Sequence, residues 1–381
     1  MSFHSFRFPT DIKFGPNSIK EVPTLLKSRG VQKPLVVTDK QLKDLPFFSD
    51  FENDLRQYGF SVTVYAEAAG NPVKNHVIQG VNAFKQSSSD AVVSIGGGCA
   101  LDVGKAIALM SSHPGDLFDY EDEMEGAREV TNCIPFTLSI PTTAGTGSEV
   151  GGSSVISDDV THKKVIIWSS YLVPNLVVAD PLLLIGLPAP LTAATGIDAL
   201  THNIEAYLAK NYHPMCDGIA IEGIRLVFQN LEKSVNEPSN IEARSGMLMA
   251  SMMGAVAFQK GLGVTHSCAH ALSTCFDTHH GLANAIMLPT CLKFNHDAVE
   301  AKLSYLEKVI DGPDSSESIS FVSKVENLIN AVGINKTLAD VGVNLTDKLV
   351  DTAYADPCHQ NNPKVCTASD FRNLFESAFT S

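Results

Sequence analysis

The chain has no uninterrupted apolar run near the roughly 18 residues that a membrane-spanning helix needs. The apolar segment 176–187 is broken by Asp180 and Pro181. The N-terminus, MSFHSFRFPTDIKFG, lacks the apolar stretch of a secretory signal. Phenylalanine and charged residues alternate there as in an edge strand, and a cytoplasmic location is the expectation. None of the eight cysteines, at 99, 133, 216, 268, 275, 291, 358 and 366, forms a C-x-x-C pair. That spacing excludes a zinc knuckle or a redox dithiol, and reduced thiols buried as small apolar residues are expected. Positive charge is also scarce. Lys and Arg number 28 against 42 Asp and Glu, a net charge of −14. Such a surface repels nucleic acid phosphates and anionic lipid, so neither is an expected partner. A small molecule carrying a phosphate or carboxylate can still find a local basic patch.

What is present is an ordinary globular composition, 44% apolar and 18% charged, in a chain of 381 residues, long enough for two domains. Short β-branched runs at 34–38 (PLVVT), 61–65 (SVTVY), 91–95 (AVVSI), 136–140 (FTLSI) and 175–179 (NLVVA) read as strands buried on both faces. Helical stretches separate them, such as 76–85 with Val77, Val81 and Phe84 on one face. The alternation predicts a Rossmann-like open parallel sheet, an α/β domain spanning 1–187. Past Pro188-Ala189-Pro190 the pattern is helical almost throughout. Ile221, Ile224 and Phe228 share a face, as do Phe321, Val325, Leu328 and Val332. An all-α domain spanning 188–381 is expected.

Two loops follow strands in the first domain. Strand 91–95 runs into Gly96, Gly97 and Gly98, then CALDVGKAIA. Glycines between a buried strand and a helix let the backbone approach an anion, and the helix N-terminus offers free N–H groups. Strand 136–140 runs into PTTAGTGSE, with hydroxyls at Thr142, Thr143, Thr146 and Ser148. Neither loop is G-x-G-x-x-G or a Walker-type phosphate loop. Both sit at strand C-terminal ends, where open α/β sheets bind nucleotides. Asp39 closes strand 34–38 and can accept from ribose hydroxyls; the commoner role for such an aspartate is helix N-cap.

In the helical half, Asp198 and His202 lie four residues apart, one turn along one helix face. His266 and His270 repeat the spacing, and His279 and His280 follow. Any one of these histidines alone would be a core or capping residue more often than not; the clustering points to a divalent ion. One carboxylate with imidazoles suits Fe(II) or Zn(II) rather than Mg²⁺ or Ca²⁺. Spacing leaves the choice among His202, His266, His270, His279 and His280 open.

GGGCALDVGK at 96–105, PTTAGTGSE at 141–149, GIDALTHNIEAY at 196–207 and the segment 261–289 occur in an order and spacing that resemble the iron-containing (group III) alcohol dehydrogenases over essentially the whole chain. The resemblance implies NAD as cofactor and Fe(II), with Zn(II) the alternative, held by Asp198, His202, His266 and His280. His270 would relay a proton, and His279 falls where the family often has proline. Gly97, Gly98 and Cys99 would contact the pyrophosphate; Thr142, Thr143, Thr146 and Lys164 would line the adenosine side. Asp39 matches the position that favours NAD over NADP. A homodimer or larger homo-oligomer is implied. The chain departs from the family at Cys99, usually serine, and at Gly104, usually alanine. AFQKGLG at 257–263 and CHQNNP at 358–363 look most similar to the 4-hydroxybutyrate dehydrogenase branch.

The function implied is reversible oxidation of a primary alcohol or short hydroxy acid to the aldehyde, by hydride transfer to nicotinamide. An imidazole at 270 suits the relay because its two ring nitrogens can accept and donate a proton. One rival is a lyase of the dehydroquinate synthase type, using metal and NAD without net redox. The other is a nucleotide-sensing protein that has kept the fold and lost the chemistry.

Overall fold

The computed structural model describes residues 8, 10–122, 124–161, 163–312 and 319–380. The chain packs as two units, Phe8–Thr143 with Gly147–Leu184, and Ile185–Ser381 with Ala144–Thr146. The change of unit at 184/185 falls three residues before the boundary read from Pro188-Ala189-Pro190. The second loop is also divided, Ala144–Thr146 packing with the helical unit rather than with its own strand.

The first unit is built on β1 (Asp11–Phe14), β2 (Pro34–Asp39), β3 (Thr63–Ala68), β4 (Ala91–Gly96), β5 (Phe136–Pro141) and β8 (Leu176–Ala179). They form one sheet in the order β1-β8-β5-β4-β2-β3, and every pair in it is parallel. Of the alternation read over 1–15, residues 1–7 and 9 lie outside the described residues, and the described part contains the edge strand β1. Its four residues are exposed, whereas all six residues of β4 are buried. The second expected strand starts later than its residues suggested. Pairing begins at Leu35↔Thr63 and continues past a register shift to Asp39↔Ala68. β6 (Ser153–Ser157) and β7 (Lys164–Trp168) form a separate antiparallel hairpin that the sequence reading missed. Its signal was present in the β-branched residues Val155, Ile156, Val165, Ile166 and Ile167 on either side of the polar turn.

The pleat sorts side chains between two cores. Leu35, Val37 and Val92 face Val103, Ile107 and Leu109 of the Gly98–Ser112 helix. Val36, Val93, Ile95, Leu138 and Val178 face Val22, Leu26, Phe48, Phe51 and Leu55. Each such side chain, fully buried, contributes about 1.5–3 kcal/mol relative to exposure. With both faces covered, ligand access is at the strand ends. The chain leaves β2 for β3 at one edge and returns to set β4 on the other side of β2. The carboxyl ends of β2 and β4 therefore flank a topological switch point, where such sheets bind ligands.

The second unit is helical, with no strand among its described residues. Its long helices are Ala189–Leu208, Pro214–Asn236, Ile241–Ala257, Val264–Phe276 and His280–Asp311, the last kinked at Val299. Val264, Cys268 and Leu272 pack with Met287, Leu349, Phe371 and Phe375 into one core. Among the described residues no single helix is long and apolar enough to cross a membrane.

Candidate metal centre and dinucleotide loops

The Ala189–Leu208 helix carries Asp198 and His202 one turn apart on a buried face, 2% and 5% exposed. Val264–Phe276 brings His266, which is 1% exposed, and His280 is the first residue of the next helix. The three imidazole Nε2 atoms surround one carboxylate oxygen. From Asp198 Oδ1, His280 Nε2 lies at 3.4 Å, His266 Nε2 at 3.8 Å and His202 Nε2 at 3.9 Å. One ligand atom from each of the four residues lies within 4.8 Å of all the others. These separations exceed hydrogen bonds. They match donors arranged about 2.0–2.2 Å from one ion, roughly 3.4 Å apart in a tetrahedron.

The polar atoms of the cluster fit an ion as well. His266 Nε2 is buried and has no hydrogen-bond partner, a cost of about 1–3 kcal/mol that a metal bond would remove. Burial pushes the His202 imidazole down to about 4, so it is neutral near pH 7 with a lone pair to offer. Burial also works against a charge on His266, but its hydrogen bond to Glu205 and the charge of Glu205 outweigh that and raise it. Glu205 is ionised in the same contact. Burial raises it, but the bond from His266 and the backbone N–H groups it accepts hold it below the ordinary carboxylate value.

Three supporting residues were not singled out from the sequence. Glu205 Oε2 accepts from His266 Nδ1 at 2.6 Å. It lies seven residues after Asp198 on the same helical face, a spacing that could have revealed it. Asn284, fully buried, donates from Nδ2 to Asp198 Oδ1 at 2.7 Å and stands one turn beyond His280. Asp356 Oδ2 accepts from His270 Nδ1 at 2.7 Å, while Asp356 Oδ1 accepts from Ser267 Oγ at 2.8 Å. His270 is one turn past His266, and its ring stacks on His280 at 5.3 Å. His279 is exposed, at the N-cap of the helix that His280 opens, and lies outside the four-residue cluster.

In the first unit, Asp39, Gly97, Gly98, Cys99, Thr142 and Thr143 gather at the carboxyl ends of β2, β4 and β5. Gly97 is the N-cap of the Gly98–Ser112 helix. Thr142 N donates to Gly96 O at 3.0 Å, holding the two loops side by side. Asp39 also caps a helix, its Oδ1 accepting from Leu42 N at 2.9 Å. Burial first, then the charges of Asp102 and Asp39, push the Cys99 thiol up to about 12, so it is neutral and not a nucleophile near pH 7. Thr146 packs with the helical unit, and Lys164 opens β7 on the separate hairpin.

Asp102 and Lys105, also missed, brace this region. Asp102 accepts from Ser148 Oγ at 2.5 Å and from Val155 N at 3.0 Å. The buried Lys105 ammonium lies 3.1 Å from Asp102 and donates to the carbonyls of Ser148 and Ser153. The departure at 104 is local. A Cβ on Gly104 would lie 1.8 Å from Ser94 Oγ, so alanine fits only if that hydroxyl rotates away.

The profile of the family described as iron-containing alcohol dehydrogenase matches residues 9–181, and that of the Fe-containing alcohol dehydrogenase family, C-terminal, matches 192–379. The NAD-dependent methanol dehydrogenase of Bacillus methanolicus is 34% identical over 384 residues, 98% of this chain and 99% of that one. The 4-hydroxybutyrate dehydrogenase of Cupriavidus necator is 35% identical over 371 residues, 93% and 95% of the two chains. Among solved structures, a 1,3-propanediol oxidoreductase superposes with a TM-score of 0.91 at 34% identity, covering 99% of this chain and 100% of that one. These relatives are oxidoreductases, and nothing in them supports the lyase alternative.

Proposed function

The chain belongs to the iron-containing alcohol dehydrogenase family, and from that premise we propose that it oxidises a short primary alcohol or ω-hydroxy acid reversibly to the aldehyde, using NAD and a divalent ion. The convergence of three Nε2 atoms on Asp198 Oδ1 carries this reading. When bound, the ion supplies Lewis acidity towards the substrate oxygen and NAD supplies the hydride acceptor.

The residues of the chain do the rest. Asp198 offsets one of the ion's charges, and the neutral ring of His202 adds a donor without repulsion. Fe(II) is the expected ion, with Zn(II) the alternative, since three nitrogens and one oxygen suit either. Gly97, Gly98 and Cys99 present the free N–H groups of a helix N-terminus to the pyrophosphate. Thr142, Thr143, Thr146 and Lys164 are proposed for the adenosine side. His270, oriented by Asp356, takes the alcohol proton towards solvent, its side chain being 21% exposed.

A 4-hydroxybutyrate-type substrate is supported by the two segments 257–263 and 358–363, which are one structural feature. Asn211 Nδ2 donates at 2.8 Å both to Lys260 O in the first and to Asn361 Oδ1 in the second. The test is NADH formation by protein reconstituted anaerobically with Fe(II) or Zn(II), comparing methanol, ethanol, propane-1,3-diol and 4-hydroxybutyrate. Turnover that requires metal and disappears in His266→Ala is expected, with 4-hydroxybutyrate the best substrate. Metal-independent turnover, or turnover unchanged in His266→Ala, would refute the metal role. Preference for methanol or propane-1,3-diol would refute the branch. A homodimer or larger assembly is proposed as well, to be read by light scattering.

A further inference from the structure

We infer that Glu205 is a positioning residue for the metal centre, one carboxylate that both orients His266 as a ligand and locks together two of the three helices that carry the ligands. The inference rests on the proposed metal site. Glu205 is 6% exposed and projects from the Ala189–Leu208 helix, on the face shared by Asp198 and His202. Its partners lie 58–61 residues away in sequence, at the start of the Val264–Phe276 helix.

Four N–H groups converge on its two oxygens. Oε1 accepts from Thr265 N at 2.7 Å. Oε2 accepts from Gly263 N at 3.0 Å, from His266 N at 3.4 Å and from His266 Nδ1 at 2.6 Å. The first turn of a helix leaves its N–H groups unsatisfied, and a side chain at the N-cap ordinarily answers one of them. Here the N-cap is Gly263, which has no side chain to offer. A Cβ on Gly263 would lie 2.9 Å from Glu205 Oε1, so even alanine would crowd the carboxylate that caps in its place. The cap is thus supplied in trans by another helix.

The same carboxylate settles the chemistry of His266. An ionised carboxylate can only accept, so the proton of the neutral ring sits on Nδ1 and the lone pair on Nε2. Nε2 is the atom that is buried, lacks a hydrogen-bond partner and lies 3.8 Å from Asp198 Oδ1. A carboxylate behind a ligating imidazole fixes its tautomer and angle and strengthens it as a donor. Because Asp198 and His202 share the helix of Glu205, the contact also sets the register of His266 against them. The cap and the ligand orientation are therefore one device.

The experiment titrates Zn(II) against a competing chelator into metal-free wild type, Glu205→Gln, Glu205→Asp and His266→Ala. Melting temperatures are recorded with and without metal, and the visible absorption of Co(II) reports ligand geometry. Wild type is expected to bind one ion, and His266→Ala to lose most of that affinity. Glu205→Gln is expected to bind about 10–100-fold more weakly, with a smaller metal-induced rise in melting temperature and a shifted Co(II) band. Glu205→Asp keeps the charge but withdraws it from Nδ1, and is expected to show the same loss; it carries the test alone if the glutamine variant does not fold. Wild-type affinity and Co(II) band in the substituted proteins, with both melting temperatures lowered equally, would make Glu205 a plain helix cap and overturn the inference. Absence of metal binding in wild type would instead defeat the metal reading, and this inference with it.

Discussion

Asp356 accepts a hydrogen bond from His270 across 86 residues of sequence, Oδ2 to Nδ1 at 2.7 Å, and it also caps the turn that follows it through Cys358 N. The contact leaves Nε2 as the lone-pair nitrogen of a neutral His270, on a ring stacked against His280. Asp356→Asn keeps the shape and removes the charge. It is expected to lower kcat by up to about 100-fold, the lower end of the range for a proton-transfer group because His270 itself remains, while KM for the alcohol changes less. Steady-state kinetics decide, and unchanged kcat would mean that the pair is structural.

The same carboxylate carries a pH signature. Burial raises Asp356, but the charge and hydrogen bond of His270 outweigh it and hold the folded value well below the ordinary aspartate range. A depressed folded value means stability that is present above the unfolded value of about 3.9 and is lost as pH falls through it and below. Asp356→Asn is expected to lower the melting temperature near pH 7, with the gap to wild type closing below about pH 4. A gap that is constant with pH would be the contrary result.

Asn284 donates to Asp198 Oδ1 from a site closed to solvent. Asn284→Ala removes the only hydrogen bond described to the Asp198 carboxylate from a side-chain amide. Metal affinity is expected to fall about tenfold and stability by about 1–2 kcal/mol. Chelator competition and urea unfolding measure the two, and wild-type affinity would remove Asn284 from the metal centre.

Glu149 is 1% exposed, and its Oε1 has no hydrogen-bond partner. Burial raises its carboxyl from 4.5 to about 7, against the opposing charge of Lys105. For an acid with a raised folded value the sign is reversed. Unfolding releases a proton between the two values, so stability falls as pH rises from about 4.5 towards 7 and then levels off. Glu149→Gln removes that loss, on the order of 3 kcal/mol at most. The melting-temperature difference between variant and wild type should grow in the variant's favour from pH 5 to pH 8. A flat difference would show that the carboxyl is ionised in the fold.

Asp39 ends β2 at the switch point of the sheet, with Oδ1 already engaged by Leu42 N. A charge there repels an additional phosphate on the adenosine ribose. Asp39→Ser keeps a capping oxygen and removes the charge. The ratio of kcat/KM for NADP over NAD is expected to rise at least about tenfold, equivalent to about 1.4 kcal/mol. An unchanged ratio would leave Asp39 as a cap alone.

What the sequence determined by itself was whatever depends on neighbours in the chain. The runs at 34–38 and 91–95 read as buried parallel strands because apolar, largely β-branched residues occupy both faces of their period, with only Thr38 and Ser94 polar. Asp198 and His202 could be read as a pair because one helical turn is a local length. The glycine loops were legible because backbone freedom follows residue type. The edge strand at 11–14 was legible in its alternation, and helix faces such as Phe321, Val325 and Leu328 in theirs.

Tertiary packing decided the rest. His279 and His280 are neighbours in sequence, and a helix turns by about 100° per residue, so their spacing could not say which one meets Asp198. The family resemblance named His280, and only the packing of its helix brings that ring to 3.4 Å from Asp198 Oδ1 while His279 stays exposed. Asn284 and Asp356 were silent as residue types, since each is an ordinary side chain until a partner 86 residues away is brought to it; Glu205 had only its spacing from Asp198 to mark it, and its partners lie 58 or more residues away. The division of PTTAGTGSE between two units was equally invisible, because membership of a core is a property of contacts rather than of composition. Local period and residue chemistry act over a few residues; the orientation of a ligand or a cap depends on which helices pack, and in what register.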